Sequence, residues 1–273
     1  MPPASDADGL VLRQDRAPGV RWLILAQPAK RNALSSAMIA ALQARLDEAT
    51  ADDGVRVVVL AAQGPVFSAG HDLRELRALS GDDAVGATSS ARCLPVFVEC
   101  SRMMATIVRM PKPVLGCVQG LATAAGCQLA ASCDLVVAGE SAAFATPGVD
   151  LALFCSTPAV AVGRSIGRKA AMEMLLTGER VSARRACELG LVNRVVPNAE
   201  LEAHVAELAS KIAAHSPLAL AAGKTTFYRQ LEKGLEDAYR ETSRVMAHNL
   251  LSEDAREGID AFFDKRPPSW RGR

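Results

Sequence analysis

A chain of 273 residues is long enough for one large domain or two, with a sizeable core in either case. With 49% apolar and 22% charged residues it has the composition of a soluble globular protein. A net charge of +1 argues against nucleic-acid backbone as the main partner, and two Trp, two Tyr and seven Phe are too few for a base-stacking platform.

Seven cysteines, an odd number without CxxC pairs, point to reduced thiols in a reducing compartment. His71, His204, His215 and His248 lack HxxxH or HxH spacing, so no metal site is expected. No apolar run approaches the ~20 residues that span a bilayer, so no membrane partner is expected. The opening MPPASDADG carries two aspartates and no Arg-rich amphipathic pattern, which points to a cytoplasmic protein.

Residues 1–19 are set apart as an N-terminal extension. Arg21 to Leu25, RWLIL, is a predicted strand, and QPAKRNAL after it is a polar loop. Ser35 or Ser36 caps a helix in which Met38, Leu42 and Leu46 recur at helical spacing through Ala49. Val55 to Ala61 is a continuous apolar run, hence a strand covered on both faces, and strand–helix–strand predicts a helix-backed sheet. The loop QGPVFSAGHDLREL places small residues just before a helix, and Leu79 to Ser90, rich in Gly, Ser and Asp, is the candidate mobile segment. A helix from about Arg92 to Arg109 stops at MPKP. Val114 to Val118 and Leu135 to Ala138 are further strands, and Phe144 to Pro158 is a loop with one short strand. EMLLTGERVSARRACELGLVNRVVP holds two helices, a Gly190 stop and a strand. From Asn198 onward come successive helices with breaks near Ser216-Pro217, Gly234 and Ser252.

Between the strands lies Leu121 to Asp134, LATAAGCQLAASCD. Its small Ala124, Ala125 and Gly126 precede a helix-length run and leave the backbone N–H groups of a helix start open to a ligand bearing negative charge.

Four stretches, RNALS, FSAGHDL, GLATAAGCQLAASCD and MLLTGERVSARRACELGLVNRVVP, with the terminal EGIDAFFDKRPP, together resemble the crotonase superfamily of enoyl-CoA hydratases and isomerases. The likeness covers roughly residues 20–268 and is nearest to the enoyl-CoA hydratase domain-containing 3 type. It implies an α/β fold, a crotonase-like spiral of β-β-α units in two sheets over residues 20–197, and a helical trimerisation region at 198–273. It also implies a homotrimer or hexamer, an acyl-CoA thioester as substrate, and no permanently bound cofactor, since coenzyme A arrives as part of the substrate.

By the same resemblance the backbone N–H groups of His71 and Ala125 form an oxyanion hole for the thioester carbonyl. Where relatives commonly carry three glycines this chain has Ala124-Ala125-Gly126, which still offers N–H groups provided φ stays negative. Coenzyme A is expected near Lys30, Arg31, Ala69, Asp72, Leu73 and Gly126, with Arg74 meeting a phosphate, and Phe262 and Lys265 reaching a neighbouring subunit's cofactor. The acyl pocket is expected along Leu76 to Val98.

The sequence departs from a hydratase at both acid–base positions: Gln128 and Gly148 stand where two glutamates are expected. A glutamine orients a water but takes no proton from it, and a glycine offers no side chain, so hydration should be weak. Asp150 and the His71 side chain are the candidate substitutes, Cys127 and Cys155 are read as ordinary buried thiols, and Ser68 lacks the GxSxG context of a serine hydrolase. Three functions remain open: a hydratase/isomerase-like enzyme working through an enolate, a non-catalytic acyl-CoA binder, and a thioesterase or decarboxylase.

Overall fold

The computed structural model describes residues 9–81 and 87–273. Among them the strands are β1 (Val11–Ala17), β2 (Val20–Leu25), β3 (Val57–Ala62), β4 (Val66–Ser68), β5 (Val114–Val118), β6 (Leu121–Thr123), β7 (Leu135–Gly139), β8 (Ala143–Ala145), β9 (Val181–Ser182) and β10 (Arg194–Val196). The helices are α1 (Ser36–Ala51), α2 (Leu73–Ser80), α3 (Ala87–Arg109), α4 (Ala125–Ala131), α5 (Ser156–Ser165), α6 (Arg168–Thr177), α7 (Ala183–Leu189), α8 (Leu201–Ala213), α9 (Pro217–Gln230), α10 (Leu235–Leu250) and α11 (Glu253–Asp264).

One sheet runs β1-β2-β3-β5-β7-β10 and the other β4-β6-β8-β9. In the first, only β1 and β2 are antiparallel. Strands β3, β5 and β7 lead into β4, β6 and β8 respectively, so each of these three turns gives one strand to each sheet before a helix returns the chain. This is the expected spiral of β-β-α units.

The unbroken apolar runs follow from burial on both faces. Along β3, Val58 and Leu60 enter the main core with Met38, Leu42 and Met103, whereas Val57 and Val59 face Trp22, Leu115, Val205 and Ala209. The second set includes α8, so the helical region predicted from residue 198 begins by packing on the sheet rather than standing apart from it. Part of the segment set apart as an extension is a strand of the sheet: β1 pairs with β2 along its length. Its sequence VLRQDRA is buried at Val11 and exposed from Arg13 to Arg16, as suits a strand at the edge of the sheet.

Helix α1 is capped by the Ser35 hydroxyl, which accepts from the Met38 amide, and α9 and α11 are capped likewise by Ser216 and Ser252. The segment predicted to be mobile is in part helical, since α2 runs to Ser80 and α3 starts at Ala87; residues 82–86 lie outside the described residues. The stretch after β8 is more ordered than expected, with a 3-10 turn at Pro147–Leu151 and α5 starting at Ser156.

The turn from β6 into α4 is tight. Gly126 lies on the Ser68 carbonyl, where any Cβ would collide, and Ala124 reverses the chain with φ 51° and ψ −119°. That is the conformation of the first central residue of a type II′ turn, normally glycine, so the expected negative φ fails at Ala124. It holds at Ala125, which is not among the positive-φ residues. An alanine so placed costs about 1–3 kcal/mol.

At the far end of the same stretch Asp134 anchors the C-terminal helices. Its Oδ2 accepts from Lys224 Nζ and from the Val114 amide, each at 2.7 Å, and its Oδ1 accepts from the Tyr228 hydroxyl at 2.9 Å. Lys224 also donates to the Ile107 and Lys112 carbonyls at 2.8 and 2.9 Å, so one buried ammonium ties α9 to the end of α3 and the start of β5.

Replacing Lys224 with Met should destabilise the fold by about 3–5 kcal/mol, because Asp134 keeps a buried charge without its counter-ion; the urea midpoint reads this. Ala124→Gly should raise the thermal midpoint, with about 1 kcal/mol gained from relief of strain. An unchanged midpoint would mean that the turn is not strained.

Candidate active site

Two loops are locked together before the site begins. Asn32, fully buried, donates to the Gln63 and Val66 carbonyls at 2.9 and 2.8 Å and accepts from the Gln27 amide at 2.9 Å. Ser68 Oγ donates to the Asn32 carbonyl, the Ala69 amide to the Arg31 carbonyl, and the Leu34 amide to the Gly70 carbonyl. The residues after β4 are therefore held by the RNALS segment rather than free to wander.

Gly70, at φ 81°, is where this assembly meets the turn before α4. A Cβ there would stand 2.9 Å from the Thr123 carbonyl oxygen and 3.1 Å from the Ala125 amide nitrogen. The Gly70 carbonyl faces Leu34, and across a trans peptide the His71 N–H points the opposite way. Among the described residues neither the His71 nor the Ala125 amide has an acceptor within the fold. The His71 amide thus follows directly on the residue whose backbone lies against the Ala125 nitrogen. Helix α4 has only seven residues, so its dipole adds less here than the helix-length run in the sequence suggested.

The side chains around these amides differ in character. The His71 ring is half-buried and meets Phe97 of α3 edge to face, ring centroids 5.2 Å apart. Its Nε2 is sealed from solvent without a hydrogen bond. Burial pushes the imidazole below its ordinary value of 6.5, and Glu75 opposes this weakly. Gln128 lies one turn beyond Ala125 on the same face of α4; it is buried, and its Oε1 also lacks a partner.

Gly148 sits in the 3-10 turn, and a Cβ there would collide with the Leu153 carbonyl and the Cys155 thiol. Asp150 is exposed, its carboxylate turned toward Gly178. Cys127 and Cys155 are buried, and desolvation pushes both thiols upward, Cys127 to about 12, as expected of inert thiols.

Of the residues expected near coenzyme A, Lys30, Arg31, Leu73 and Arg74 are exposed around the Arg31–Ala69 link, and Gly126 is buried against Ser68. The Asp72 carboxylate is committed to the N-cap of α2, accepting from the Arg74 and Glu75 amides. Phe262 and Lys265 lie at the end of α11, and Phe262 lines a cavity of about 390 Å³ with Trp270 and Asp254. No hydrogen bond or ring contact joins them to the 69–74 segment among the described residues.

A larger cavity of about 1220 Å³ opens between α3, α4, α5 and α9 and touches the site through Gln128. Its α3 wall is Ser101 to Arg109, beyond the Leu76 to Val98 stretch expected to line an acyl pocket. The Phe97 contact, the Asn32 tether and the Lys224–Tyr228 pair escaped the sequence reading, although Asn32, within RNALS, and Phe97, within Leu76 to Val98, lay in segments singled out there. Among the described residues no cluster of His, Cys, Asp and Glu suits a metal ion, and no helix is long and apolar enough to cross a membrane.

Comparison with known proteins agrees with this architecture. The chain is 46% identical over 269 residues to mouse (Mus musculus) enoyl-CoA hydratase domain-containing protein 3, mitochondrial, covering 98% of this chain and 87% of that protein. It is 35% identical to the 2,3-dehydroadipyl-CoA hydratase of Escherichia coli, covering 97% of this chain and 98% of that one. The crystal structure of human enoyl-CoA hydratase domain-containing protein 3 superposes with a TM-score of 0.89 at 45% identity, covering 96% of this chain and all of the other.

The mouse, Xenopus laevis and human relatives are mitochondrial by name, which overturns the cytoplasmic location expected above. That expectation rested on the charge pattern of a few opening residues, too slight a signal to stand against relatives matched along nearly the whole chain. The enoyl-CoA hydratase/isomerase family profile matches residues 15–273, and with these relatives it shows that the chain belongs to that family.

Proposed function

We propose that the protein binds an acyl- or enoyl-CoA thioester and stabilises negative charge on its carbonyl oxygen with the His71 and Ala125 amides. The observation that carries this is the close approach of the Gly70 backbone to the Ala125 nitrogen, where a Cβ would stand 3.1 Å away, next to two N–H groups without an acceptor among the described residues. An enolate or a tetrahedral adduct places its charge on that oxygen, and each preset donor is typically worth ~10²–10³ in rate. Backbone donors also survive the glycine-to-alanine changes in the turn, because Ala124 rather than Ala125 takes the positive φ.

Coenzyme A is drawn by the exposed cations Lys30, Arg31 and Arg74 beside the loop, suited to its phosphates. Family membership supports the thioester class, and the acyl group is taken as small or medium. Hydration is disfavoured by the same structure, since Gln128 carries no acid and position 148 has no room for one. Each missing acid–base group typically forfeits ~10²–10⁴ in rate. The absence of both favours, as a second reading, a member that binds thioesters without turning them over.

The protein is further taken as a homotrimer or hexamer built on its C-terminal helices. Leu235, Tyr239, Met246 and Leu250 recur on one face of α10 and are 60% to 73% exposed, a stripe of apolar surface that a monomer would leave wet.

Isotope-edited infrared spectroscopy of bound ¹³C-carbonyl butyryl-CoA tests the amide pair directly. The carbonyl stretch should move to lower wavenumber on binding, and an unmoved band in a saturated complex would refute the assignment. With crotonyl-CoA, hydration should fall at least ~10²-fold short of ordinary hydratase turnover; the decay of enoyl absorbance reads it, and brisk hydration would show that another group replaces the missing carboxylates.

A further inference from the structure

We propose that the His71 imidazole is the proton-transfer group of this site, taking a proton from the α-carbon of the bound thioester while the amide of the same residue holds the carbonyl oxygen. The assignment rests on thioester binding as proposed above and names the group that performs the chemistry.

Geometry separates the two ring nitrogens. Nε2 is sealed and unpartnered, and the ring meets Phe97 edge to face. Among the described residues no hydrogen bond engages the ring elsewhere, yet the residue keeps partial exposure and only Nε2 is sealed, so the accessible nitrogen is Nδ1. A hydrogen on Nε2 directed into the aromatic slot leaves the Nδ1 lone pair open as the acceptor. A purely structural side chain has no reason to be this one, because an apolar residue would fill the slot against Phe97 without abandoning a buried ring nitrogen.

The other candidates fall away on position. Gln128 takes no proton, Gly148 has no side chain, the Asp72 carboxylate caps α2, and Asp150 is exposed and turned toward Gly178. The Cys127 and Cys155 thiols are held protonated by burial. Among the described residues the charge that acts on the ring is Glu75 of α2, whose Oε2 accepts from the Ser36 amide at 2.9 Å; Phe97 of α3, packed against the ring, brings none. Burial keeps the ring a free base near neutrality, and Glu75 favours the imidazolium once it forms.

The step balances without a co-reactant. The Cα–H bond breaks, its electron pair becomes the second bond between Cα and the carbonyl carbon, and the carbonyl π pair moves onto oxygen, where the two amides receive it. The proton sits on Nδ1. Its return to the α-carbon restores the thioester and exchanges deuterium in D2O; its return to the γ-carbon of an enoyl chain moves the double bond.

The experiment compares wild type with His71→Gln and His71→Ala, which both keep the backbone amide. Calorimetry measures binding of butyryl-CoA, and mass spectrometry follows its α-deuterium uptake in D2O. Wild type should exchange, with a rate that falls on the acid side through a midpoint below 6.5 as the buried ring is protonated. Both variants should bind within about threefold of wild type and lose exchange by about 100-fold or more, and added imidazole should restore part of it to His71→Ala. Exchange by His71→Gln at the wild-type rate overturns the proposal, as does wild-type binding without any exchange. The second result leaves the amide pair standing if the bound carbonyl band still shifts. Failure of wild type to bind butyryl-CoA removes both assignments together.

Discussion

Everything at this site depends on how closely two pieces of backbone approach. Ser68 to Gly70 and Ala124 to Gly126 touch main chain to main chain, and only residues without a β-carbon fit at Gly70 and Gly126. Side chains of any size would drive the segments apart, and the two N–H groups would no longer share a neighbourhood. The strain at Ala124 belongs to the same requirement, because the chain must reverse within one residue to present the next amide.

That approach is maintained from both sides. The parallel pairing of β4 with β6 sets the segments in register, and Asn32 and Ser68 bind the first of them to the RNALS loop. At the other end of the Leu121–Asp134 stretch, Asp134 is gripped by Lys224 and Tyr228, so α9 packs onto the edge of the core that carries α4. The turn before α4 is thus strung between a strand pairing and a buried ion pair. Neither touches a substrate, and both fix where the amides lie.

Much of the fold was legible because burial writes itself into sequence. Val57 to Leu60 lies between two apolar layers and therefore reads as an unbroken run, while Ser216, Gly234 and Ser252 mark helix starts by their chemistry. The strand β1 was missed because half its residues face water and its charges resemble a tail. The positive φ at Ala124 was illegible for another reason: alanine does not announce that conformation, and only its contacts impose it. The two segments that meet at Gly70 and Gly126 were marked by their small residues, whereas the state of the His71 ring was not, since it depends on Phe97, a residue 26 positions away on α3.

The packing behind Gly148 bears on what this scaffold can become. Oxygen, nitrogen and sulfur of residues 153 and 155 already fill the volume that an acidic side chain at 148 would need. Acidity at position 128 is one substitution away, but at 148 it demands a redrawn main chain as well. A form with an acid at both positions is therefore separated from this molecule by a loop rebuild, and the glycine at 148 is locked in by volume rather than by charge.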